Sequence, residues 1–280
     1  MNFPRTSAAG VSLPRIIIGT NWMFGWSHRG HAADEYIKEQ HATGEAAKKI
    51  IGAFLQYGID AIMGPFSTHS DCNDKVKRAE DETGKKIIRI DTPILNVDDS
   101  EAARKEARAV IKNSAKIDSV FCLIHHASCE QLINKNKQTM DRLGDYTDMI
   151  REEGLIPGLS AHMPEIIQYS DKNNYDVETY IQIFNCLGFL MQVEVESVIK
   201  IIHEAKKPVM TIKPMAAGRT TPYIGLTFNW NVLRAQDMIT VGCINEHEVH
   251  ENVEISLAAL EKRLPNLEGR SSPAKNSIIK

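Results

Sequence analysis

The sequence predicts an α/β fold, a (β/α)8 TIM barrel built as a single domain, and three observations carry that expectation. Eight short apolar runs recur along the chain, and segments of helical periodicity separate them. The chain length of 280 residues also suits such a barrel, which commonly forms one unit at about 250 residues. Most of the runs are rich in Ile, Val and Phe, as parallel strands buried on both faces require. Eight strand–helix units in series predict a closed parallel barrel rather than an open sheet.

The runs fall at residues 15–19 (RIIIG), 59–63 (IDAIM), 86–90 (KIIRI) and 119–124 (SVFCLI). Four more follow at 156–160 (IPGLS), 180–184 (YIQIF), 208–212 (PVMTI) and 238–242 (MITVG). Between them, residues 45–57 place Ile50, Ile51, Phe54 and Leu55 on one helical face, and residues 194–205 do the same with Val195, Val198, Ile199 and Ile202. Gly58, Gly84 and Gly154 stand just before the second, third and fifth strands. Glycine suits a helix C-terminus because it enters the left-handed conformation without a Cβ clash. The barrel is expected over residues 1–264. An insert at 21–43, rich in aromatic, Gly and His residues, follows the first strand, and residues 265–280 form a polar tail without periodicity.

Composition bounds the function. A formal net charge of −3 provides no basic footprint, so neither nucleic acid nor an anionic membrane surface is an expected partner. No apolar run approaches the roughly 20 residues of a membrane helix, and no basic start followed by an apolar stretch marks a secretory signal. Five cysteines, Cys72, Cys122, Cys129, Cys186 and Cys243, are scattered without CxxC spacing. Cys122 and Cys186 read as core thiols, and a reducing cytoplasm is the expected compartment. The expected partner is a small-molecule substrate; a homo-oligomer remains open.

A barrel of this kind projects the residues just past its strands into one shared cavity. Those positions are Thr20, Asn21 and Trp22 after the first strand, and Asp91 and Thr92 after the third. His125 and His126 follow the fourth, His162 the fifth, Asn185 the sixth and Lys213 the seventh. One carboxylate and two or three imidazoles can bind a divalent metal or exchange protons, and Asp91, His125 and His162 are the expected set for either task. Each has a simpler reading. Asp91 could close an Asx-turn before Pro93, His126 could point outward by strand alternation, and His162 could cap the next helix. Lys213 could form a Schiff base, because a desolvated amine loses its charge readily. The preferred reading is a cation for an anionic ligand.

The insert adds Trp22, Phe24, Trp26 and His28, then Arg29, His31 and Asp34. It reads as a lid that excludes water and touches substrate, with Asn21, Trp22, Trp26, His28 and Asn185 as substrate contacts; a fixed plug is the alternative. His28, His31 and Asp34 at i, i+3 and i+6 are a weak metal signal. The loops after the seventh and eighth strands often cradle phosphate on backbone N–H groups. Gly218, Arg219, Thr220 and Thr221, with Gly242 and Asn245, suit that role, although plain turns explain them equally well. No GxSxG, HExxH, Walker or GxGxxG pattern occurs.

The segment from Met149 through Glu153-Gly154 to Ser160-Ala161-His162, the segment Lys213 to Gly218 (KPMAAG), and the segment from Gly242 to Glu251-Asn252 together resemble the aldo-keto reductases. That resemblance implies a TIM barrel with a nicotinamide site, in which Glu251 and Asn252 match the adenine-holding positions. It also implies a catalytic Asp, Tyr, Lys and His. Here the Asp would fall at or near Met63, the Tyr meets Phe66-Ser67-Thr68-His69, and the Lys is replaced by Asp91 or Thr92. Only the His has a match, at His125. The resemblance therefore carries the fold further than the chemistry, and NADP is less expected than a divalent metal.

The expectation is a non-redox enzyme, a lyase, isomerase or metal-assisted hydrolase, acting on a small polar metabolite, with a phosphorylated or carbonyl-bearing one among the options. Asp91, His125 and His162 would supply acid–base groups or a metal site, and Lys213 and Arg219 would orient the anion. One alternative is a reductase with His69 or His125 in place of the Tyr. The other is a catalytically silent ligand-binding barrel.

Overall fold

A computed structural model describes residues 2–267. It contains a closed barrel of eight parallel strands, and each predicted run supplies one of them. The chain opens with an antiparallel hairpin, β1 (Arg5–Ala8) and β2 (Val11–Pro14). The barrel follows as β3 (Ile16–Gly19), β4 (Ala61–Gly64), β5 (Ile88–Asp91) and β6 (Ser119–Ile124). A second small hairpin, β7 (Ile133–Asn134) with β8 (Thr139–Met140), precedes β9 (Ile156–Ala161). The barrel then ends with β10 (Tyr180–Ile183), β11 (Val209–Ile212) and β12 (Met238–Val241). Closure is direct: β12 pairs with β3 through Thr240 opposite Ile17, and β3 pairs with β4 through Ile18 opposite Ile62.

Helices alternate with the strands. They are α1 (His31–Gln40) and α2 (Glu45–Gln56), then α3 (Ser70–Thr83), α4 (Glu101–Lys116) and the short α5 (His126–Cys129). After these come α6 (Leu143–Glu152), α7 (Glu165–Asn173), α8 (Val195–Glu204), α9 (Pro222–Val232) and α10 (Glu246–Glu261). Gly58, Gly84 and Gly154 all take left-handed φ, between 64° and 76°, as their places at helix ends predicted. No helix among the described residues is long and apolar enough to cross a membrane.

Two cores form, because adjacent residues on a strand face opposite sides. Ile17, Ala61, Met63, Ile90, Phe121, Leu123, Ile181, Met210 and Met238 fill the barrel. Residues of the opposite parity, such as Ile16, Ile18, Ile62, Cys122, Ile124 and Leu159, pack under the helices. The N-terminal hairpin was not expected from the sequence. It turns at Ala9-Gly10, both at positive φ, a turn whose twist matches that of the paired strands. Its Ala8 and Leu13 join the barrel-filling cluster, closing the barrel floor.

The predicted insert is ordered as a 3-10 turn at Asn21–Phe24 followed by α1. Trp22, Met23 and Ile37 are buried in the outer core, and the Cys72 thiol donates to the Met23 sulfur at 3.1 Å. Cys72, Cys122, Cys129 and Cys243 are buried free thiols, whereas Cys186, expected in the core, is only partly buried. Of the polar tail expected at 265–280, residues 268–280 lie outside the described residues.

Candidate active site

The site forms where β6, β9 and β11 end. On β6, Phe121 and Leu123 face the barrel interior, so the alternation carries His125 inward as well. Its backbone N–H donates to Pro93 O at 3.0 Å. Its Nδ1 accepts the Ala127 N–H at 3.3 Å, so the ring caps α5. A neutral imidazole that accepts at Nδ1 carries its proton on Nε2. His125 therefore presents a donor to the site.

His126 belongs to α5 rather than to the strand, so strand alternation does not send it outward. Its ring centroid lies 4.2 Å from that of His125. It also stacks on His162 with centroids 3.6 Å apart and planes 15° from parallel. His162 follows β9, and Glu130, one helical turn after His126, accepts the backbone N–H groups of His162 and Met163. That contact ties the end of β9 to the end of β6. The other Glu130 oxygen, Oε1, stands 3.6 Å from His126 Nδ1, and both atoms are buried without a hydrogen bond.

Lys213 completes the cluster by breaking the strand rule. Met210 and Ile212 face the barrel interior, so an extended residue 213 would point into the helix layer. Its backbone instead adopts a left-handed φ of 60°, a conformation that costs a non-glycine residue about 1–3 kcal/mol. Its ammonium group acts electrostatically on His28, His125, His126 and His162. The Lys213 carbonyl accepts from Ala216 N at 2.9 Å, but among the described residues its amine has neither a hydrogen bond nor an ion pair.

These neighbours shift one another in one direction. Burial lowers the His125 pKa to about 4, helped by His126 and Lys213. Burial lowers His162 to about 3, with His126, Lys213, His125 and His28 adding to the effect. His126 is lowered for the same two reasons, burial and Lys213. Burial also lowers Lys213 from 10.5 to about 8, which corresponds to about 3 kcal/mol of lost preference for the ammonium form. Near neutral pH the site holds three uncharged imidazoles beside one amine that is mostly, but not wholly, protonated.

Asp91 does not join them. Ile88 and Ile90 face the barrel interior, which turns Asp91 outward into the layer between strands and helices. It is fully buried there, accepting from the Ser114 hydroxyl and from the Ser67 N–H at 3.2 Å. Burial raises its pKa, and the Ser114 and Ser67 hydrogen bonds oppose that rise. The expected Asp91–His125–His162 set is thus corrected to His126, Glu130 and His162. That is the group among the described residues whose ligand atoms all lie within 4.8 Å of one another. The donor types suit a transition metal. Imidazole lone pairs lie in the ring plane, however, so two parallel stacked rings cannot both aim at one ion. Coordination requires one ring to leave the stack.

The other expected site residues have definite places. Asn185 is fully buried and organises its own loop: Oδ1 accepts from Leu187 N at 3.2 Å and Phe189 N at 2.9 Å, and Nδ2 donates to Phe189 O at 3.0 Å. Phe189 in turn carries the Arg219 guanidinium 3.8 Å above its ring, and Arg219 donates to His28 O at 3.1 Å. Asn185 therefore supports Arg219 rather than facing a ligand. Trp22 is buried beside His41, while Trp26 is exposed and stacked on Phe24. His69 packs edge-on against Phe24 and Trp26. Asn21 is exposed at the start of the insert. Asp34 accepts from Ser27 N and Oγ at 2.8 and 2.6 Å, and the His31 side chain is 88% exposed. The His28–His31–Asp34 spacing therefore builds no metal site.

The expected cofactor loops are occupied by the protein itself. Trp22 lies against Gly242, and the Arg29 side chain lies over Gly218. Asn245 caps α10 by accepting from Glu248 N, and Glu248 accepts from Ile244 N, both at 2.9 Å. The first turn of α10 thus carries Glu246 and Glu248, which oppose an anion. Asn252 is buried and donates to Cys243 Sγ at 3.3 Å; Glu251 is partly buried on the same helix.

Comparison with solved structures places the barrel among known folds. A candidate aldo-keto reductase from Pseudomonas aeruginosa is similar at 15% identity and a TM-score of 0.64, covering 93% of this chain and 95% of its own. The aldose reductase of Giardia lamblia is similar at 13% identity and a TM-score of 0.54, covering 95% and 90%. An orotidine 5′-monophosphate decarboxylase from Methanocaldococcus jannaschii is similar at 14% identity and a TM-score of 0.51, covering 77% and 94%. At these identities the likeness establishes the fold alone, a (β/α)8 TIM barrel. No family model and no curated protein sequence matches the chain.

Proposed function

We propose that this protein is a non-redox barrel enzyme, of lyase or isomerase type, acting on a small anionic metabolite that bears a carbonyl group. One observation carries the reading: past the ends of two paired barrel strands three half-buried imidazoles pack ring against ring, and the Lys213 amine, without a partner among the described residues, bears on all three. Lys213 draws the anion, and with no carboxylate paired to it among the described residues it keeps its attraction for one. His125, with its proton on Nε2, donates to a carbonyl oxygen, and His162, unprotonated near neutral pH, accepts a proton. Arg219, supported by Phe189, adds a second cation beside His28.

Several features favour this reading over carbonyl reduction. The positions at which the reductase resemblance expects an acid and a phenol carry Met63 and Phe66. Trp22 lies on Gly242, and two glutamates stand in the first turn of α10, where a cofactor phosphate would need N–H donors.

Trp22 and Trp26 provide the test. Titration with pyruvate, as a small anionic carbonyl probe, is expected to change their fluorescence saturably, and NADPH is expected not to. Saturable quenching by NADPH together with hydride transfer to an aldehyde would replace this reading with the reductase one.

A further inference from the structure

The anion-binding role leaves part of the Lys213 setting unexplained. A surface lysine in extended backbone would draw an anion equally well. Here the chain enters a left-handed conformation at Lys213, immediately before Pro214, and the amine lies near enough to His125, His126 and His162 to act on all three rings. Among the described residues no carboxylate holds the amine, and no hydrogen bond fixes it. An amine in such a place has a substantial neutral fraction, and the neutral fraction is a nucleophile. Beside it stand a donor, His125 Nε2–H, and two unprotonated rings able to carry protons, His126 and His162.

We propose that Lys213 forms a covalent imine with the carbonyl carbon of a small 2-oxo or aldehydic acid. The inference rests on the small-anion reading of the site. The lone pair of neutral Nζ attacks the carbonyl carbon, forming a C–N bond while the C=O π pair moves to oxygen. His125 Nε2–H hydrogen-bonds that oxygen while a proton passes to it from the new ammonium centre by way of His162, leaving a neutral carbinolamine and all three rings neutral. A proton equivalent to the one Lys213 gave up on becoming neutral, delivered from water, then protonates the hydroxyl and expels water as the nitrogen lone pair forms the C=N bond. The product is an iminium, reached with no change of oxidation state and reversed by water. Its positive nitrogen withdraws electrons from the adjacent carbon, so a C–H or C–C bond there can break with its electron pair passing toward nitrogen. His162 or His126 receives the proton released.

Trapping tests this on the full chain. Protein is incubated with pyruvate, or with glyoxylate as a smaller aldehydic probe, in the presence of sodium cyanoborohydride, which reduces iminium groups. Intact mass and peptide mapping then locate the secondary amine. The expected result is one adduct per chain, on Lys213, absent when the borohydride is omitted. Lys213→Arg and Lys213→Met both remove the nucleophilic amine and are expected to give no adduct, while only Lys213→Arg, which keeps the charge, should still bind pyruvate measurably and reversibly. A labelled residue other than Lys213, or binding of either probe by wild type without an adduct, overturns the imine alone. Absence of both binding and adduct overturns the imine together with the small-anion reading.

Discussion

The imidazole of His126 lies face to face with that of His162, with centroids 3.6 Å apart and planes 15° from parallel. Two rings so placed beside Lys213 stack comfortably only while both are uncharged. Protonating either one sets a cation against a neighbouring ring and an ammonium group, and burial removes the water that would screen it.

Acid should therefore weaken the fold through this cluster. His125 and His162 have folded-state pKa values of about 4 and about 3, against about 6.5 in the unfolded chain. The unfolded state binds more protons between those limits, so stability is fully present above about pH 6.5 and falls as pH drops toward 4. After discounting for partial exposure, the pair should lose about 2–3 kcal/mol between pH 7 and pH 5. Urea unfolding at both pH values checks this. The His125→Gln/His162→Gln variant should show a clearly smaller drop than wild type.

Asp91 should prove to be a folding residue. Its carboxylate accepts from Ser114 and Ser67 inside the layer between strands and helices. Asp91→Ala leaves those donors buried without a partner and should cost about 2–3 kcal/mol. Pyruvate binding per folded molecule should stay within a few-fold of wild type. Loss of binding with stability unchanged would return Asp91 to the site.

A metal should not be needed. The stacked rings do not converge on one point, and Lys213 and Arg219 add positive charge nearby. Protein purified without an affinity tag should carry no stoichiometric transition metal, and EDTA should leave pyruvate binding unchanged. Zinc at one per chain, lost together with binding in EDTA, would show that one ring leaves the stack to coordinate with Glu130.

The barrel was legible because strands buried on both faces must be apolar throughout, and each of the eight runs became a strand. The N-terminal hairpin was not legible: RTSA and VSLP are too short and too polar to stand out beside them. Parity explains the error at Asp91. Ile88 and Ile90 face inward, so the next residue faces out, a rule that could have been applied to the sequence directly. The same rule fails at His126, because the strand has already given way to a helix, and at Lys213, because the backbone turns left-handed. Glu130 was missed although it stands four residues after His126, the spacing that brings two side chains together on a helix. Asn185 was placed correctly at a strand end, yet its hydrogen bonds with Leu187 and Phe189 depend on the loop and are invisible to spacing alone.

The central claim is that the Lys213 amine is the cation that receives a small anion, and the pH dependence of pyruvate binding tests it most directly. With the amine near pKa 8, affinity measured by calorimetry should hold between pH 6.5 and 7.5 and fall about tenfold per unit above pH 8, because the bound state requires the proton. Lys213→Arg, whose side chain stays charged throughout, should flatten that fall. An affinity that stays constant from pH 7 to pH 10 in wild type, or that falls identically in Lys213→Arg, would contradict the account.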